Sequence, residues 1–378
     1  MKLRTPTIDR RALLIGGGAG AGLLVAWSLW PRAYTSGLVP RAKEQVFGHY
    51  LKIGEDGRVT VAVPQVETGQ GVWTALPQIV ADELGAAWET VAVEPAPSAR
   101  VYGNPLAVEQ GWLAGVSPVQ AWRLERAGTA RITAGSTSVR AFEQPLREAG
   151  AMARALLCAA AAARWNVAAA ECDTEGGFVL HEGKRLPFGA VAAEAAGLTP
   201  PDRPPLRQSG RGKLMGEPLP RLDLPPKTDG SFRFAGDVRL PGLVYAAARL
   251  TSAEGGGVTS FEQDRARGPG VLEVTGTDRW AAAIAQTWWA AEQALVRAEV
   301  KTSGPDQADT AAIDAALGTA MSTGDARTLF ERGDFAAAIE GARPLTATYR
   351  AAPGLHLDLE PLTATARLTG DRLEVWAA

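Results

Sequence analysis

The tripeptide Gly69–Gln70–Gly71 is the first feature of this sequence that could take part in chemistry. It separates a run with the alternating pattern of a β-strand from a run with the period of an α-helix. Glycine lets a backbone approach a ligand closely, the start of a helix offers unpaired N–H groups to an anion, and a glutamine amide both donates and accepts hydrogen bonds. The tripeptide therefore fits either a ligand-binding turn or an ordinary strand-to-helix turn.

A second polar segment, Thr133–Ser138, directly precedes the strongest helical pattern of the chain, Val139–Trp165. Hydroxyl and amide groups at the start of a long helix favour a phosphate or another group rich in oxygen. Serine and threonine are also the preferred residues for capping any helix. Two such turns in one domain are compatible with a shared anion-binding site and with two ordinary turns. The residues that would form the site are Gly69, Gln70, Gly71, Gly135, Ser136, Thr137 and Ser138.

Two further pairs of residues have a spacing that suits chemistry. Arg147 and Arg154 are seven residues apart, so one face of a helix carries both, with small residues between them. They could pair with carboxylates of the fold, which is the usual role, or with a ligand phosphate. His356 and Glu360 are four residues apart, but the alternating pattern and Pro361 indicate an extended chain rather than a metal-binding helix. No catalytic and no metal-ligating residue is expected in this chain.

The composition argues against several functional classes. Lysine and arginine total 39 against 41 aspartate and glutamate residues, so the chain lacks the excess positive charge that nucleic-acid binding requires. Its two cysteines and three histidines show none of the paired spacings of zinc, iron–sulfur or c-type haem sites. Cys158 lies in an alanine-rich helical run and is expected to be a small core residue.

The N-terminal segment indicates export. Arg10 and Arg11 directly precede an uncharged stretch rich in glycine and alanine, Ala12–Trp30. This pattern is typical of a twin-arginine signal, because the cations stay on the cytoplasmic side while a weakly apolar segment enters the bilayer. Residues 1–33 are therefore expected to be a cleaved signal or a retained membrane anchor of a periplasmic protein. A phosphate-binding loop at Gly16–Gly18 is disfavoured, since no strand precedes it and no GK[ST] follows.

The patterns along the chain predict an α+β protein. A hairpin is expected around Glu55–Gly57 and a helix over Trp73–Gly85, ended by its glycine. Pro145 is expected to kink or break the long helix that contains it. A proline-dense stretch at residues 201–226 indicates an extended linker. A smaller α+β unit follows, then an Ala- and Asp-rich segment, and finally a strand pair around a Gly–Asp turn.

Five segments, in order, resemble the molybdopterin-binding large subunit of the xanthine dehydrogenase/aldehyde oxidase family, in particular its exported isoquinoline 1-oxidoreductase beta-subunit type. The segments contain VAVPQVETGQGVWTALPQIVADELG, GSTSVRAFEQPLREAGAMARALL, RLDLPPKTDGSFRFAGDVRLPGLVYAA, GPGVLEVTGTDRWAAAIAQTWWAAEQAL and HLDLEPLTATA. The resemblance implies a molybdopterin-binding α+β domain at 46–200, the linker at 201–226, a small hammerhead-like α+β domain at 227–303, a helical or loose connector at 304–344, and the incomplete start of a further molybdopterin-binding domain at 345–378.

The resemblance also implies roles for the two polar turns. Gln70 would contact the molybdenum–pyranopterin region, and the segment Ser136–Val139, which adds Val139 to the candidate site, would hold the pterin or its phosphate. Gly354 stands where some relatives place a glutamine beside the metal, and a glycine cannot supply that hydrogen bond. Relatives of this type are about twice as long, and the missing half carries the glutamate that acts as general base.

The resemblance therefore leads to the expectation of the N-terminal half of a split, exported molybdenum hydroxylase that is inactive alone. A partner chain would complete the molybdopterin site and supply the glutamate. A small subunit would carry [2Fe–2S] clusters, and a c-type cytochrome would be a further electron acceptor. The substrate would be a small aldehyde or N-heterocycle. The alternatives are a catalytically inactive relative that serves as a binding or assembly subunit, and a chain that continues beyond Ala378.

Overall fold

The computed structural model describes residues 36–107, 117, 120, 131–208, 214–251, 256–304, 309–324, 327–328, 330–352, 354 and 359–377. The chain divides into two compact units, with the boundary between Phe232 and Arg233. Both units combine helices with small sheets, which confirms the predicted α+β class. The predicted export segment and His356 lie outside the described residues. None of the described helices has the length and apolar composition needed to cross a bilayer.

A four-stranded sheet organises the first unit. Its order is β1-β2-β3-β4, with antiparallel pairs except for the parallel pair β3–β4. The predicted hairpin is confirmed, because β2 and β3 flank Glu55–Gly57. Helix α1 connects the parallel strands and ends at Gly85, as predicted, with that glycine in the left-handed conformation at φ 74°. The bounds are β1 Glu44–Phe47, β2 Leu51–Gly54, β3 Val59–Val63, α1 Val72–Leu84 and β4 Val91–Pro95.

Helix α2, Ser138–Trp165, packs along α1 and forms the second layer of this unit. It continues through Pro145 as a single helix, so of the two expected effects of this proline, a kink or a break, the break does not occur. Cys158 is buried in the core, and its burial raises the pKa of its thiol to about 12. A small antiparallel sheet and a short helix complete the core. Their bounds are β5 Asp173–Glu175, β6 Phe178–His181, β7 Lys184–Pro187 and α3 Phe188–Ala196.

The proline-dense stretch that the sequence indicated as a linker belongs to the first unit. Leu214, Met215, Leu219 and Leu222 pack against its core. The N–H groups of Leu214 and Met215 both donate to the buried carboxylate of Asp82, at 2.8 and 3.1 Å. A short helix, α4 (Leu224–Thr228), follows before the boundary. Residues 214–228 are therefore packed chain, not a free spacer.

The second unit has a core built almost entirely from alanine. A three-stranded antiparallel sheet, in the order β10-β11-β8, packs against helix α5, whose first turn is capped by Thr287. A separate strand pair joins β9 to β12. The bounds are β8 Tyr245–Leu250, β9 Gly257–Ser260, β10 Val271–Gly276, β11 Trp280–Ala285, α5 Trp288–Arg297 and β12 Lys301–Ser303.

The remaining elements of the second unit carry little burial. Helices α6 (Thr310–Thr323) and α7 (Phe335–Ile339) contain no buried residue. Strands β13 (Ala364–Thr369) and β14 (Arg372–Ala377) form the predicted hairpin around a Gly–Asp turn. Isolated helices of this length and an isolated two-stranded hairpin are marginally stable in water, and burial among the described residues adds little to the stability of these elements.

Candidate functional site

The fold brings the two glycine-containing polar turns side by side. The N–H of Val66, after β3, donates to the hydroxyl of Thr133 at 3.0 Å. The hydroxyl of Ser138, at the start of α2, donates to the side-chain oxygen of the buried Gln65 at 2.9 Å. These two bonds join segments about 70 residues apart in sequence. The segment that leads into the first turn therefore lies against the segment that precedes α2.

The Gly69–Gly71 turn owes its glycines to backbone conformation. Gly69 has φ 104° and Gly71 has φ 85°, values that side chains with a Cβ atom rarely adopt, and no other atom crowds either position. The Gln70 amide closes the loop from within. Its oxygen accepts from the N–H and hydroxyl of Thr68 at 2.6 and 3.1 Å, and its nitrogen donates to the carbonyl of Val66 at 2.7 Å. A ligand contact by Gln70 would replace or share these bonds.

The sequence suggested that the start of α1 offers free amide groups to an anion. In the structure these amides are already bonded to a side chain of the chain itself. The carboxylate of Glu67 accepts from Gly69 N–H at 2.8 Å, from Gly71 N–H at 2.9 Å and from Trp73 N–H at 2.9 Å. A carboxylate is the anion that a helix N-terminus favours. The chain's own side chain thus fills the position that an external anion would take.

The Gly135–Ser136 turn before α2 is open by comparison. Gly135 and Ser136 are exposed and both lie in the left-handed region, at φ 60° and 53°. Thr137 precedes the helix but makes no side-chain cap. Its buried hydroxyl instead donates to Ala134 O at 2.7 Å and accepts from Asn104 at 2.9 Å. The sequence left open that this turn is an ordinary helix cap. Thr137, at the N-cap position of α2, makes no such side-chain hydrogen bond.

The first amides of α2 face this open turn. Among the described residues no acceptor is assigned to the N–H groups of Ser138 and Val139. Val139 is 44% exposed, which leaves the surface above these amides accessible. Amides without an acceptor among the described residues, at the start of a 28-residue helix, are suited to an anionic or oxygen-rich group.

A neutral ion cluster lies behind the Gly69–Gly71 turn. Arg221 donates to Glu67 at 3.1 Å and to Asp223 at 2.9 Å, and Lys227 donates to Asp223 at 2.8 Å. Both carboxylates are 1% exposed. Burial opposes ionisation of Asp223, but hydrogen bonds from Arg221 and Lys227 outweigh it and hold the pKa of this carboxyl below its ordinary value. Two positive and two negative groups leave no net charge here.

Asp223→Asn is expected to lower the free energy of unfolding at pH 7 by about 1–3 kcal/mol, because it removes charge-assisted hydrogen bonds. Since the folded-state pKa is lowered, this stabilisation is present above the ordinary aspartate pKa of about 3.9 and is lost as the pH falls through the folded-state value. Urea unfolding at pH 7 and pH 3 measures the effect. The difference in the free energy of unfolding between Asp223→Asn and wild type should be smaller at pH 3 than at pH 7. The exposed control Asp202→Asn should unfold with the wild-type free energy at both pH values.

Arg147 and Arg154 serve the fold and not a ligand. Both pair with the fully buried Glu83 of α1, Arg147 at 2.7 Å and Arg154 at 3.3 Å.

Glu360 accepts from Ala235 N–H at 3.0 Å within the second unit. No group of three or more potential ligand side chains that could hold a metal ion occurs within the described ranges.

A cleft of about 920 Å³ lies at the opposite, C-terminal end of α1. Its lining includes Gly85, Trp88, Asp173, Arg207 and Leu219. Arg207 donates to both carboxylate oxygens of Asp173, at 3.2 and 2.9 Å, so these charged groups are already paired. The cleft also extends along the packed segment to Arg221, whose guanidinium contacts the Gly69–Gly71 turn.

Residues that support the turns were missed by the sequence reasoning. Glu67 stands two residues before Gly69, and an acidic residue close to a predicted helix start was the available signal. Gln65 and Asn104 had no distinguishing pattern. Arg221 reaches the turn from 152 residues away, so no local pattern could place it there.

Known proteins and a protein-family model match parts of this chain. The family of molybdopterin cofactor-binding domains matches residues 19–105. The chain is 31% identical over 297 residues to the beta subunit of isoquinoline 1-oxidoreductase from Brevundimonas diminuta, covering 68% of this chain and 35% of that protein. It is 26% identical over 362 residues to a subunit of nicotinate dehydrogenase from Pseudomonas putida, covering 90% and 28%.

A third relative is the membrane-bound aldehyde dehydrogenase [pyrroloquinoline-quinone] of Gluconacetobacter polyoxogenes, 26% identical over 207 residues, covering 53% of this chain and 23% of that protein. The chain thus spans about a third or less of the length of these relatives. All three are named as oxidoreductases or dehydrogenases, or as subunits of them. These matches identify the chain as a relative of the molybdopterin-binding subunits of the xanthine dehydrogenase family, the family that its sequence segments predict.

Proposed function

We propose that the first unit holds part of a molybdopterin cofactor between its two polar turns. The enzyme would be an exported molybdenum hydroxylase or dehydrogenase that oxidises a small aldehyde or N-heterocycle. The observation that carries the proposal is the pair of hydrogen bonds, Val66 to Thr133 and Ser138 to Gln65, that joins the turns. The match of residues 19–105 to a molybdopterin-binding domain and the names of the relatives support it.

The residues of the two turns fit the polar part of a pterin cofactor unequally. The exposed Ser136 hydroxyl and the amides of Ser138 and Val139 would hold phosphate or pterin oxygens, because no acceptor among the described residues is assigned to these amides. The Gln70 amide, together with the backbone of Gly69 and Gly71, would contact the pterin side. Gly135 and Thr137 would fix the shape of the second turn. When bound, the cofactor supplies the two-electron oxidation of the substrate, which no described side chain provides.

A further polypeptide segment is proposed to complete the site. The described second unit exposes large apolar side chains, with Leu345 99% exposed, Tyr349 92% and Leu359 103%. The relatives are about three times as long as the segment they share with this chain. A partner chain equivalent to the rest of the relatives would cover these side chains and supply the catalytic glutamate. A small [2Fe–2S] subunit, and a c-type cytochrome after it, would accept the electrons.

Residues 1–33 would direct the assembly to the periplasm, as a cleaved signal or an inner-membrane anchor. Cell fractionation of the native host tests this part, because the protein should leave with the periplasmic or membrane fraction. A chain found only in the cytoplasmic fraction contradicts export.

Purification of the full chain from its native host tests the cofactor. Molybdenum and pterin should be present in roughly equal amount to the chain, together with a partner polypeptide. The double variant Gln70→Ala, Ser136→Gly should retain about tenfold less pterin, the effect of about 1.4 kcal/mol of lost binding. Glycine at 136 keeps the left-handed backbone, so the change at this position removes the hydroxyl without straining the turn. The control Ser322→Ala, in α6, should retain pterin fully. A metal-free, partner-free wild type would favour a binding or assembly subunit instead.

A further inference from the structure

Glu67 lies within the first turn of the candidate site, and its side chain is only 1% exposed, although its neighbours Thr68, Gly69 and Gln70 are exposed. Its two carboxylate oxygens accept from three backbone amides of the turn and of the first residues of α1. Hydrogen bonds from amides to an ionised carboxylate are about twice as strong as neutral ones. One side chain therefore fixes the backbone on both sides of Gln70.

Arg221 holds the same turn from outside. One guanidinium nitrogen donates to the carbonyl of Gly69 at 3.0 Å, and another donates to Glu67 at 3.1 Å. Asp223 in turn orients the guanidinium through bonds of 3.0 and 2.9 Å. The turn is thus held at its amides by Glu67 and at a carbonyl by Arg221.

We infer that Glu67 is a positioning residue for ligand binding, a role that rests on the proposed function. Glu67 holds the Gly69–Gly71 turn in one conformation before the ligand binds, with Gln70 at the surface. The loss of conformational entropy of the turn on binding is therefore smaller. The Glu67 carboxylate also prevents an anionic ligand group from binding at the start of α1, because like charges at close range repel. The anionic part of the ligand is thereby directed to the turn at Gly135–Val139.

Glu67→Gln in the full chain tests this role. The neutral amide keeps the shape but presents an NH₂ group toward one of the three N–H donors, so at least one bond is lost. Hydrogen exchange of the amides in residues 66–73 should become roughly tenfold faster, while α2 and the second unit exchange as in wild type. In the assembly purified from the native host, pterin should be lost about tenfold faster on gel filtration.

A second test variant and a control variant complete the experiment. Arg221→Met removes the outer contact and should show the same two effects to a smaller degree, which covers the case that Glu67→Gln does not fold. Glu143→Gln, an exposed glutamate of α2, should change neither exchange nor retention. Faster exchange with wild-type pterin retention, or unchanged exchange, overturns the role of Glu67 alone. A wild-type assembly without pterin overturns the proposed function instead.

Discussion

Glu83→Gln is expected to lower the free energy of unfolding of the first unit by about 3–5 kcal/mol, the usual effect of removing one partner from a buried ion cluster. The Glu83 side chain is 0% exposed. Arg147 donates to one of its carboxylate oxygens at 3.0 and 2.7 Å. The other oxygen accepts from Arg154 at 3.3 Å and from the backbone N–H of Arg207 at 2.9 Å.

The expected loss is large because the other described acceptors of Arg147 and Arg154 are neutral backbone carbonyls, which cannot replace the charge of Glu83. Arg154 is also largely buried, and this burial lowers the pKa of its guanidinium, although arginine remains charged at neutral pH. A glutamine at position 83 would remove the negative charge that these guanidinium groups surround. Its NH₂ group would also face N–H donors on one side, which leaves unsatisfied polar groups in the core.

Urea unfolding followed by hydrogen exchange of peptides from α1 and α2 measures this loss. The matched control is Glu148→Gln on α2, whose carboxylate is exposed and bonded only to Gln144 among its described contacts, at 2.7 Å. The control should differ from wild type by less than about 0.5 kcal/mol. A loss below about 1 kcal/mol for Glu83→Gln would show that the cluster contributes little.

The elements that carry a local pattern were predictable from the sequence. The alternation of β3, the glycine turn and the period of α1 place Gln70 between a strand and a helix, as the structure has it. The seven-residue spacing of Arg147 and Arg154 predicted a shared face and an ion pair, and both are confirmed. These features depend on neighbours in sequence, so spacing alone reports them.

The features that depend on distant segments were not predictable. Asp82 and Glu83 appear in the helical pattern as solvated positions, yet both are buried because the proline-dense segment folds over them. Proline density suits a free linker and a packed extended chain equally, since both avoid regular hydrogen bonding. The closure of the α1 start by Glu67 involves neighbours in sequence, and it was missed for a different reason. Its geometry depends on the positive φ angles of two glycines.

The ion cluster requires close contact between α1 and α2, and Gly150 permits it. Gly150 lies between Arg147 and Arg154, on the face of α2 that meets α1. A Cβ atom placed on it would lie 2.8 Å from the carbonyl oxygen of Val80 and 2.9 Å from the Cβ of Glu83. Backbone atoms cannot yield to such contact by changing a rotamer. Any side chain at this position must push the two helices apart.

Gly150→Val is therefore expected to destabilise the first unit by about 3 kcal/mol, the upper part of the usual range for overpacking a core. The separation of the helices would also lengthen the bonds from Arg147 and Arg154 to Glu83. The double variant Gly150→Val, Glu83→Gln should therefore lose less free energy of unfolding than the sum of the losses of the two single variants. Urea unfolding of the two single variants and the double variant measures this coupling. The control is Gly318→Val in α6, where no atom lies within 4 Å of the added Cβ and the change should be close to neutral. Full additivity would mean that the glycine contact and the ion cluster act independently.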